Sequence, residues 1–565
     1  MLTRLLVRNF RRLEEADIGL DAVTMLAGPN DSGKTAALQA LCLWALGLRR
    51  WRERRSGHAA PGKRLGVPVN RRDLIAVPLP HTDLLWHDLR LRDTSRATQN
   101  VLIEVTVSGA TRGVLWECGL EFDYANEELF YVRPLRLGGG RGAERMEVPD
   151  EASDVRVALL PPMAGLAAVE PRWEPGRTNV LIGEGQTAQV LRNLCYQVSQ
   201  AGEGLWDRLA AHVRDLFGVE LLRPRHLPER GEITMQYRQG RTVFDLSSSG
   251  SGMLQTVLLL SYLYSNPGAV LLVDEPDAHL EVLRQRQTLD VLVEAARANE
   301  VQLIIATHSA ALLEEAVGRH HVVVLAEGHP SSLEDQGPRV MEALPHVGCG
   351  QYLLARWTGW VLYLETPRAL TILRAFARRL GHRALSALER PFVRYVGAEP
   401  EQAIGHFRRL QCVLPGLIGV GLFATPGRDL PSTGDGLRTL QWTRAEAECY
   451  LCTEAALVAW ARGAQRDLFG EHRAEAMGEA IRETLSVLRA LGKSDPFGGR
   501  LRVSEEFLPP VFDAYRRLTG GEGRTLSKAT YPELVEFLPQ GAIDPEVVEK
   551  LDAIAQVADG ARPPR

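Results

Sequence analysis

Three stretches of the chain combine residue types in spacings that can do phosphate chemistry. Gly28-Pro-Asn30-Asp-Ser-Gly33-Lys34-Thr35 fits the pattern G-x-x-x-x-G-K-[ST]. In such a loop the backbone N–H groups and the N-terminus of the following helix cradle phosphates, the lysine reaches the outer phosphates and the hydroxyl ligates Mg²⁺. Ala269-Val-Leu-Leu-Val-Asp274-Glu275-Pro276 is an apolar run ending in two carboxylates. One carboxylate suits the Mg²⁺ shell (Asp274) and the next suits orientation or deprotonation of an attacking water (Glu275). Leu246-Ser-Ser-Ser249-Gly250-Ser251-Gly252 is a Ser/Gly loop opening a helix 25 residues before Asp274, and His308 follows the next apolar run 34 residues after it. Seen singly, the serines read as a helix cap and the histidine as an ordinary strand end; their order and spacing argue for a site.

These residues need a scaffold, and the hydrophobic pattern supplies one. The first forty residues read as strand, turn, strand, loop, helix: 2–7, 16–20 and 23–27, then the glycine loop and an apolar helix from Thr35. Between 246 and 326 helices alternate with apolar strands at 269–273, 301–306 and 321–325. Continuous apolar strands alternating with helices argue for a parallel sheet covered on both faces. Residues 101–122 alternate apolar with polar, as antiparallel strands do. A second alternating unit follows: strand 360–364, helix 367–380, strand 392–396, helix 399–410 and strand 417–423, with a mainly helical remainder from Trp442. Gly138–Gly142 reads as a loop.

Composition bounds the class. With 565 residues, two to four domains are expected. A 45% hydrophobic and 24% charged composition excludes disordered, collagenous and membrane-bundle classes. The N-terminus lacks a signal-peptide core, and no apolar run approaches the ~20 residues of a spanning helix. Seven scattered cysteines fit a reducing cytoplasm rather than a disulfide framework. The net charge of −4 makes no global case for nucleic acid. Locally, residues 49–73 hold nine basic against two acidic side chains, an exposed insertion over about 49–80 that is a candidate DNA contact, with Trp51 available to stack on a base. Only five of the 66 basic residues are lysines (Lys34, Lys63, Lys493, Lys528 and Lys550), so each is worth a role.

The phosphate-site set resembles an ABC-type ATPase head of the SMC, RecF and OLD (overcoming lysogenization defect) kind. Met1–Arg12, with Asn9-Phe10-Arg11, resembles the group's opening strand, and Asp277 with His279 resembles its D-loop. The resemblance implies that two heads sandwich two ATP molecules. Asn30, Gly33, Lys34, Thr35 and Asp277 would bind ATP, Thr35 and Asp274 would hold its Mg²⁺, and Ser249, Gly250 and Gly252 of one subunit would face the other's P-loop. Glu275 and His308 would be catalytic, with His308 on the γ-phosphate. Ser249 lies 214 positions after Thr35, and the stretch between them lacks sustained heptads, which favours a compact head over an SMC arm.

The second alternating unit resembles the TOPRIM domain of OLD-family nucleases. Trp360-Val-Leu-Tyr-Leu-Glu365-Thr366-Pro-Arg-Ala369 matches a strand ending in Glu-Gly-x-x-Asp. Thr443-Arg444-Ala-Glu446-Ala-Glu448-Cys-Tyr450-Leu451 matches an Arg-x-Glu-x-Glu-x-Tyr-Leu helix, and Lys528 lies in a segment that carries a lysine in active members. Glu365 and Glu448 would be the metal ligands for a second divalent ion, Mg²⁺ or Mn²⁺, with Glu446 and Lys528 as helpers. Thr366 and Ala369 replace the Gly and Asp, and near the third strand only Asp429 and Asp435 are acidic, which favours a degenerate domain. Cys449-x-x-Cys452 reads as core rather than as a metal or redox pair.

The sequence-based expectation is therefore an α/β protein: an ABC/OLD-type ATPase at 1–345, a TOPRIM-like domain at 346–455 and a helical region at 456–565. It would be a cytoplasmic homodimer or higher homo-oligomer acting in defence against phage or foreign DNA, with a separate effector or nuclease subunit and no membrane contact. The alternatives are a metal-dependent DNA endonuclease and a RecF-like repair ATPase that binds DNA without cutting.

Overall fold

The computed structural model describes residues 1–55, 66–93, 99–138, 144–326, 328–333, 347–424, 436–463, 470–521 and 524–561. The chain divides into two compact units, Met1–Pro345 and His346–Arg565.

The first unit contains two six-stranded sheets. The strands Val23–Ala27, Val270–Asp274 and Gln302–Thr307 are buried at every position, as expected for strands with helices or sheet on both faces. They lie in a sheet whose order is 157–160, 270–274, 302–307, 23–27, 321–326, 329–332. All neighbours are parallel except the last pair. The second sheet is antiparallel, with the order 13–19, 2–10, 103–111, 114–126, 129–134, 67–70.

The helix Lys34–Arg55 packs against both sheets. Leu38, Leu41, Trp44, Leu48 and Trp51 recur at three- and four-residue intervals and all are buried. Trp44 stacks on Trp116 of the antiparallel sheet at 6.0 Å between centroids, and its Nε1 donates to Cys118 O at 2.9 Å. Buried Gln302 fastens the N-terminal strand to the parallel sheet. Its Oε1 accepts from Leu2 N at 2.7 Å, and its Nε2 donates to Leu2 O at 2.7 Å and Asp21 O at 2.9 Å.

The structure corrects part of the expected exposed insertion, of which residues 56–65 lie outside the described residues. Residues 49–55 are the last turns of that helix, and Val67–Asn70 is a sheet strand whose Val67 and Val69 are buried. Trp51 belongs to the core and cannot stack on a base. Several arginines of the segment are neutralised: Arg50 pairs with Glu53 and Asp73 at 2.9 Å, Arg52 with Asp150 at 2.6 Å and Arg71 with Glu128 at 3.0 Å. Lys63 and most of the Gly138–Gly142 loop lie outside the described residues.

In the second unit, four parallel strands are ordered 393–395, 360–364, 418–423, 437–441. One hydrophobic core runs from Leu362 and Leu422 of this sheet through Trp460 to Val547, Leu551 and Ile554 of the last helix, Pro545–Gly560. The sheet and the C-terminal helices thus share a core, with no break near residue 455.

Candidate functional site

The sheet register of the first unit brings the expected phosphate chemistry to one edge. Asp274 pairs in register with Ala306, and Thr307 with Ala27, so the carboxylate strand, the His308 strand and the glycine-loop strand end together. Ligands bind at such carboxyl ends in open α/β sheets. The loop needs its glycines for close approach. A Cβ on Gly28 would collide with Ser32 Oγ and lie 2.6 Å from Leu325 O, and Gly33 adopts φ +101° with Leu13 Cδ2 2.7 Å from any added Cβ.

Lys34, 5% exposed, donates from Nζ to Gly28 O at 2.8 Å and Pro29 O at 2.7 Å. Burial pushes its pKa down, opposed by Glu275, Asp274, Asp277 and Asp31. The ammonium is thus held over the loop by carbonyls alone, and exchanging two neutral carbonyls for phosphate oxygens gains charge pairing. Thr35 Oγ1 donates to Asp274 Oδ2 at 2.8 Å. Asp274 Oδ1 is buried with no hydrogen-bond partner, and so is Ser32 Oγ of the loop. Burial raises the Asp274 pKa to about 6, moderated by the Thr35 hydrogen bond. An orphaned carboxylate oxygen beside a hydroxyl is a hard-oxygen pair that fits Mg²⁺, which takes few protein ligands and completes its shell from water and phosphate. Accordingly, no group of three or more His, Cys, Asp or Glu among the described residues is arranged to hold a metal.

Glu275 sits at φ +50°, an uncommon conformation for a non-glycine residue. Its N–H donates to Ala306 O at 2.9 Å, which turns the chain sharply as the strand ends. His308 Nδ1 lies 3.3 Å from Glu275 Oε1, and both side chains are partly open to solvent. Asp277 is buried and accepts from Thr307 Oγ1 at 2.6 Å. Thr307 also accepts from Ser309 N at 2.9 Å, and Ser309 Oγ donates to Gln285 at 2.6 Å. Motif spacing gave no hint of Thr307 or Gln285; a hydroxyl directly before His308 was the available signal. Asn30 is exposed at the loop tip.

The Ser249–Gly252 loop stands apart from these contacts. Ser249 Oγ donates to Leu246 O at 2.7 Å, Gly250 caps the helix Ser251–Tyr264 without a side-chain bond, and a Cβ on Gly252 would lie 3.3 Å from His279 O. Asp245 fixes the turn before it, accepting from Ser247 N at 2.9 Å, and is itself held by buried Arg192 at 3.4 Å.

In the second unit the expected carboxylates each face a partner from the chain itself. Glu365 Oε1 accepts from Ala424 N at 2.7 Å. Glu446 accepts from Ser504 N at 2.6 Å and Ser504 Oγ at 2.9 Å. Buried Glu448 faces Arg368 Nη1 at 3.5 Å. Burial raises the pKa of all three, and each also feels another member of the group. Lys528 is half exposed and pairs with Glu505 at 3.7 Å. Among the described residues this set does not fit a divalent ion, because a guanidinium already occupies the flank of Glu448. Asp429 and Asp435 lie outside the described residues.

Two local expectations change. The Arg-x-Glu-x-Glu stretch is not a helix: Glu446 is extended (φ −161°, ψ 162°) and only Ala447–Tyr450 makes a short 3-10 turn. Ala445 N donates to Gly499 O at 2.8 Å and Glu446 is tied to Ser504, so outside partners take the groups a helix would use. Cys449 and Cys452 are free thiols in the core, not a helical pair, and burial raises both pKa values.

Two family models match stretches of the first unit. Residues 194–314 match the family described as "AAA domain, putative AbiEii toxin, Type IV TA system", and residues 1–45 match an "AAA ATPase domain". The DNA replication and repair protein RecF of Proteus mirabilis (strain HI4320) is 52% identical over 42 residues, 7% of this chain and 12% of that protein. The chain thus matches about 12% of the length of this curated relative. Among solved structures, the SMC head domain from Thermotoga maritima has a TM-score of 0.34 at 15% identity, covering 59% of this chain and 98% of that one. The Smc head domain of Pyrococcus furiosus, bound to the C-terminal domain of ScpA, has a TM-score of 0.36 at 13% identity, covering 61% and 99%. Residues 1–45 and 194–314 are thus similar to AAA ATPase domains, and a stretch of 42 residues is similar to RecF. No described helix is long and apolar enough to cross a membrane.

Proposed function

We propose that this chain hydrolyses ATP as an OLD-like ABC-type ATPase, and that its nucleotide cycle governs the TOPRIM-like second unit. One observation carries the reading: Lys34, Thr35 and Asp274 meet at a strand edge with the lysine held only by carbonyls and Asp274 Oδ1 left without a partner. In the mechanism, Lys34 leaves Gly28 O and Pro29 O for the outer phosphates. Thr35 and Asp274 are the residues that would hold Mg²⁺, which when bound neutralises charge on the phosphate oxygens. Glu275 orients the attacking water and takes its proton. His308, beside Glu275, steadies that carboxylate and reaches toward the transferred phosphoryl group.

Association through the heads into a homodimer or higher homo-oligomer, with Ser249–Gly252 completing the partner's site, belongs to the same proposal. It accords with a Ser/Gly loop that makes no bond to its own P-loop among the described residues. The role is defence against phage or foreign DNA, with a separate effector doing the damage. The neutralised Glu448 supports this over an active endonuclease.

The test is ATP turnover by the full chain. Glu275→Gln should retain nucleotide binding and lose hydrolysis; unchanged turnover rejects the assignment. Supercoiled plasmid with Mg²⁺ or Mn²⁺ should stay uncut, and cleavage abolished by Glu365→Ala and Glu448→Ala would install the endonuclease reading instead.

A further inference from the structure

The second unit holds a hollow of about 400 Å³ that touches none of the carboxylates discussed above. It is lined by Arg394, Glu401, Gln402, Gly405 and Arg409. Arg394 comes from the edge strand Val393–Tyr395, and the other four come from the helix Pro400–Val413. The lining carries two guanidinium groups against one carboxylate, and the helix contributes its positive N-terminal end.

Behind the hollow runs a chain of polar groups, with Tyr363 and His406 buried and Gln351 partly so. His406 Nε2 and Gln351 Oε1 are 2.6 Å apart, and Tyr363 Oη and His406 Nδ1 are 2.8 Å apart. An amide oxygen only accepts, so His406 carries its proton on Nε2 and Tyr363 donates to Nδ1. Arg394 Nη1 donates to the same Gln351 oxygen at 2.5 Å. His406 stays neutral: burial, aided by Arg394 and Arg409, lowers its pKa to about 4. The network therefore gives neither arginine a counter-charge. Its effect is positional: it anchors Arg394 by one nitrogen and leaves donors of the fork for the hollow.

Gly405 adds an independent sign. Glycine inside a helix is disfavoured relative to alanine, and here no close packing demands it, since an added Cβ would meet nothing within 4 Å. Its effect is to keep the floor of the hollow open.

We infer that this hollow binds the phosphate group of a small phosphorylated molecule, held between the anchored Arg394 fork and Arg409. Guanidinium forks match pairs of phosphate oxygens, and the volume falls within the range of small-molecule sites. A phosphodiester strand lying across the two arginines would present the same chemistry. The site goes beyond the ATPase reading and does not depend on it.

Calorimetry on the full chain carrying Lys34→Ala, which silences the P-loop, tests the site with three probes: pyrophosphate, a nucleoside monophosphate and a short oligonucleotide without terminal phosphates. Pyrophosphate and the monophosphate should bind at one site per chain. Arg409→Gln should weaken both by about tenfold or more, and Gly405→Leu, which keeps both arginines but fills the floor, should do the same at an unchanged melting temperature. If only the oligonucleotide responds to these variants, the small-molecule assignment is wrong. If no probe responds, the hollow is not a phosphate site.

Discussion

Two sets of carboxylates stand at the ends of parallel strands in this protein, and they are finished differently. At Asp274 the partners stop short: Thr35 takes one oxygen, the other is orphaned, and the nearby lysine is occupied with backbone carbonyls. At Glu365, Glu446 and Glu448 the chain supplies its own partners: Ala424 N and Ser504 donate hydrogen bonds to the first two, and the Arg368 guanidinium lies 3.5 Å from Glu448. Similar residue types thus give one site whose carboxylate keeps an unpartnered oxygen and another whose carboxylates face donors and a guanidinium of the chain itself. The difference lies in whether the chain spends the carboxylate on itself.

The largest effect expected from this contrast is at Lys34. Lys34→Ala should weaken nucleotide binding by about 2–5 kcal/mol, the range for truncating one member of a buried charge pair. Titration with a fluorescent nucleotide measures it, and an unchanged Kd would remove the first site from the comparison.

Asp274→Asn should raise the stability of the nucleotide-free protein by about 2 kcal/mol while abolishing turnover. The sign follows from protonation. A carboxyl whose pKa is about 6 when folded and near 4 when unfolded binds more protons in the folded state, so stability declines as pH rises through that window and the cost is complete above about 6. Asparagine removes the charge and keeps an acceptor for Thr35. Urea melts at pH 7.5 and 5 should show the gain shrinking at the lower pH; a loss at both would mean that Asp274 is already compensated.

In the second unit, Arg368→Ala should cost about 1–3 kcal/mol at pH 8, because it leaves Glu448 buried and unpaired. Burial already raises the Glu448 pKa and Arg368 holds it down. Without the guanidinium it climbs further, so the penalty is present above the folded pKa and fades as pH falls below it. A pH-independent loss in thermal melts would show that Arg368 serves packing alone. The smallest effect is at Lys528, whose exposed pair with Glu505 should be worth less than about 1 kcal/mol; a collapse of stability in Lys528→Ala would mean that the lysine serves the acidic cluster.

Much of the first unit is legible in the chain because its strands are uninterrupted apolar runs and its turns carry glycine where φ is positive, as at Gly33. Trp51 shows where composition misleads. The arginines around it suggest solvent, yet Leu41, Trp44, Leu48 and Trp51 continue one helical face, a periodicity that outranks local charge. The Thr443–Leu451 stretch fails for another reason: its fate is set by Gly499 and Ser504, over fifty residues away, which no local pattern encodes. The state of the second carboxylate set was hidden likewise, since Thr366 and Ala369 signal a lost ligand but nothing local says that Arg368 turns inward.

The register of the parallel sheet also sets a timetable for the chain's birth. Val23–Ala27 is flanked by 302–307 and 321–326, with Val23 opposite Leu303. At about 5–20 residues per second, a ribosome makes those neighbours roughly 15–60 s after the strand itself emerges. For that interval a strand buried at every position in the finished fold and the glycine loop behind it have no parallel sheet to join. Strand Val23–Ala27 therefore finds its sheet only in chains already grown through residues 302–326.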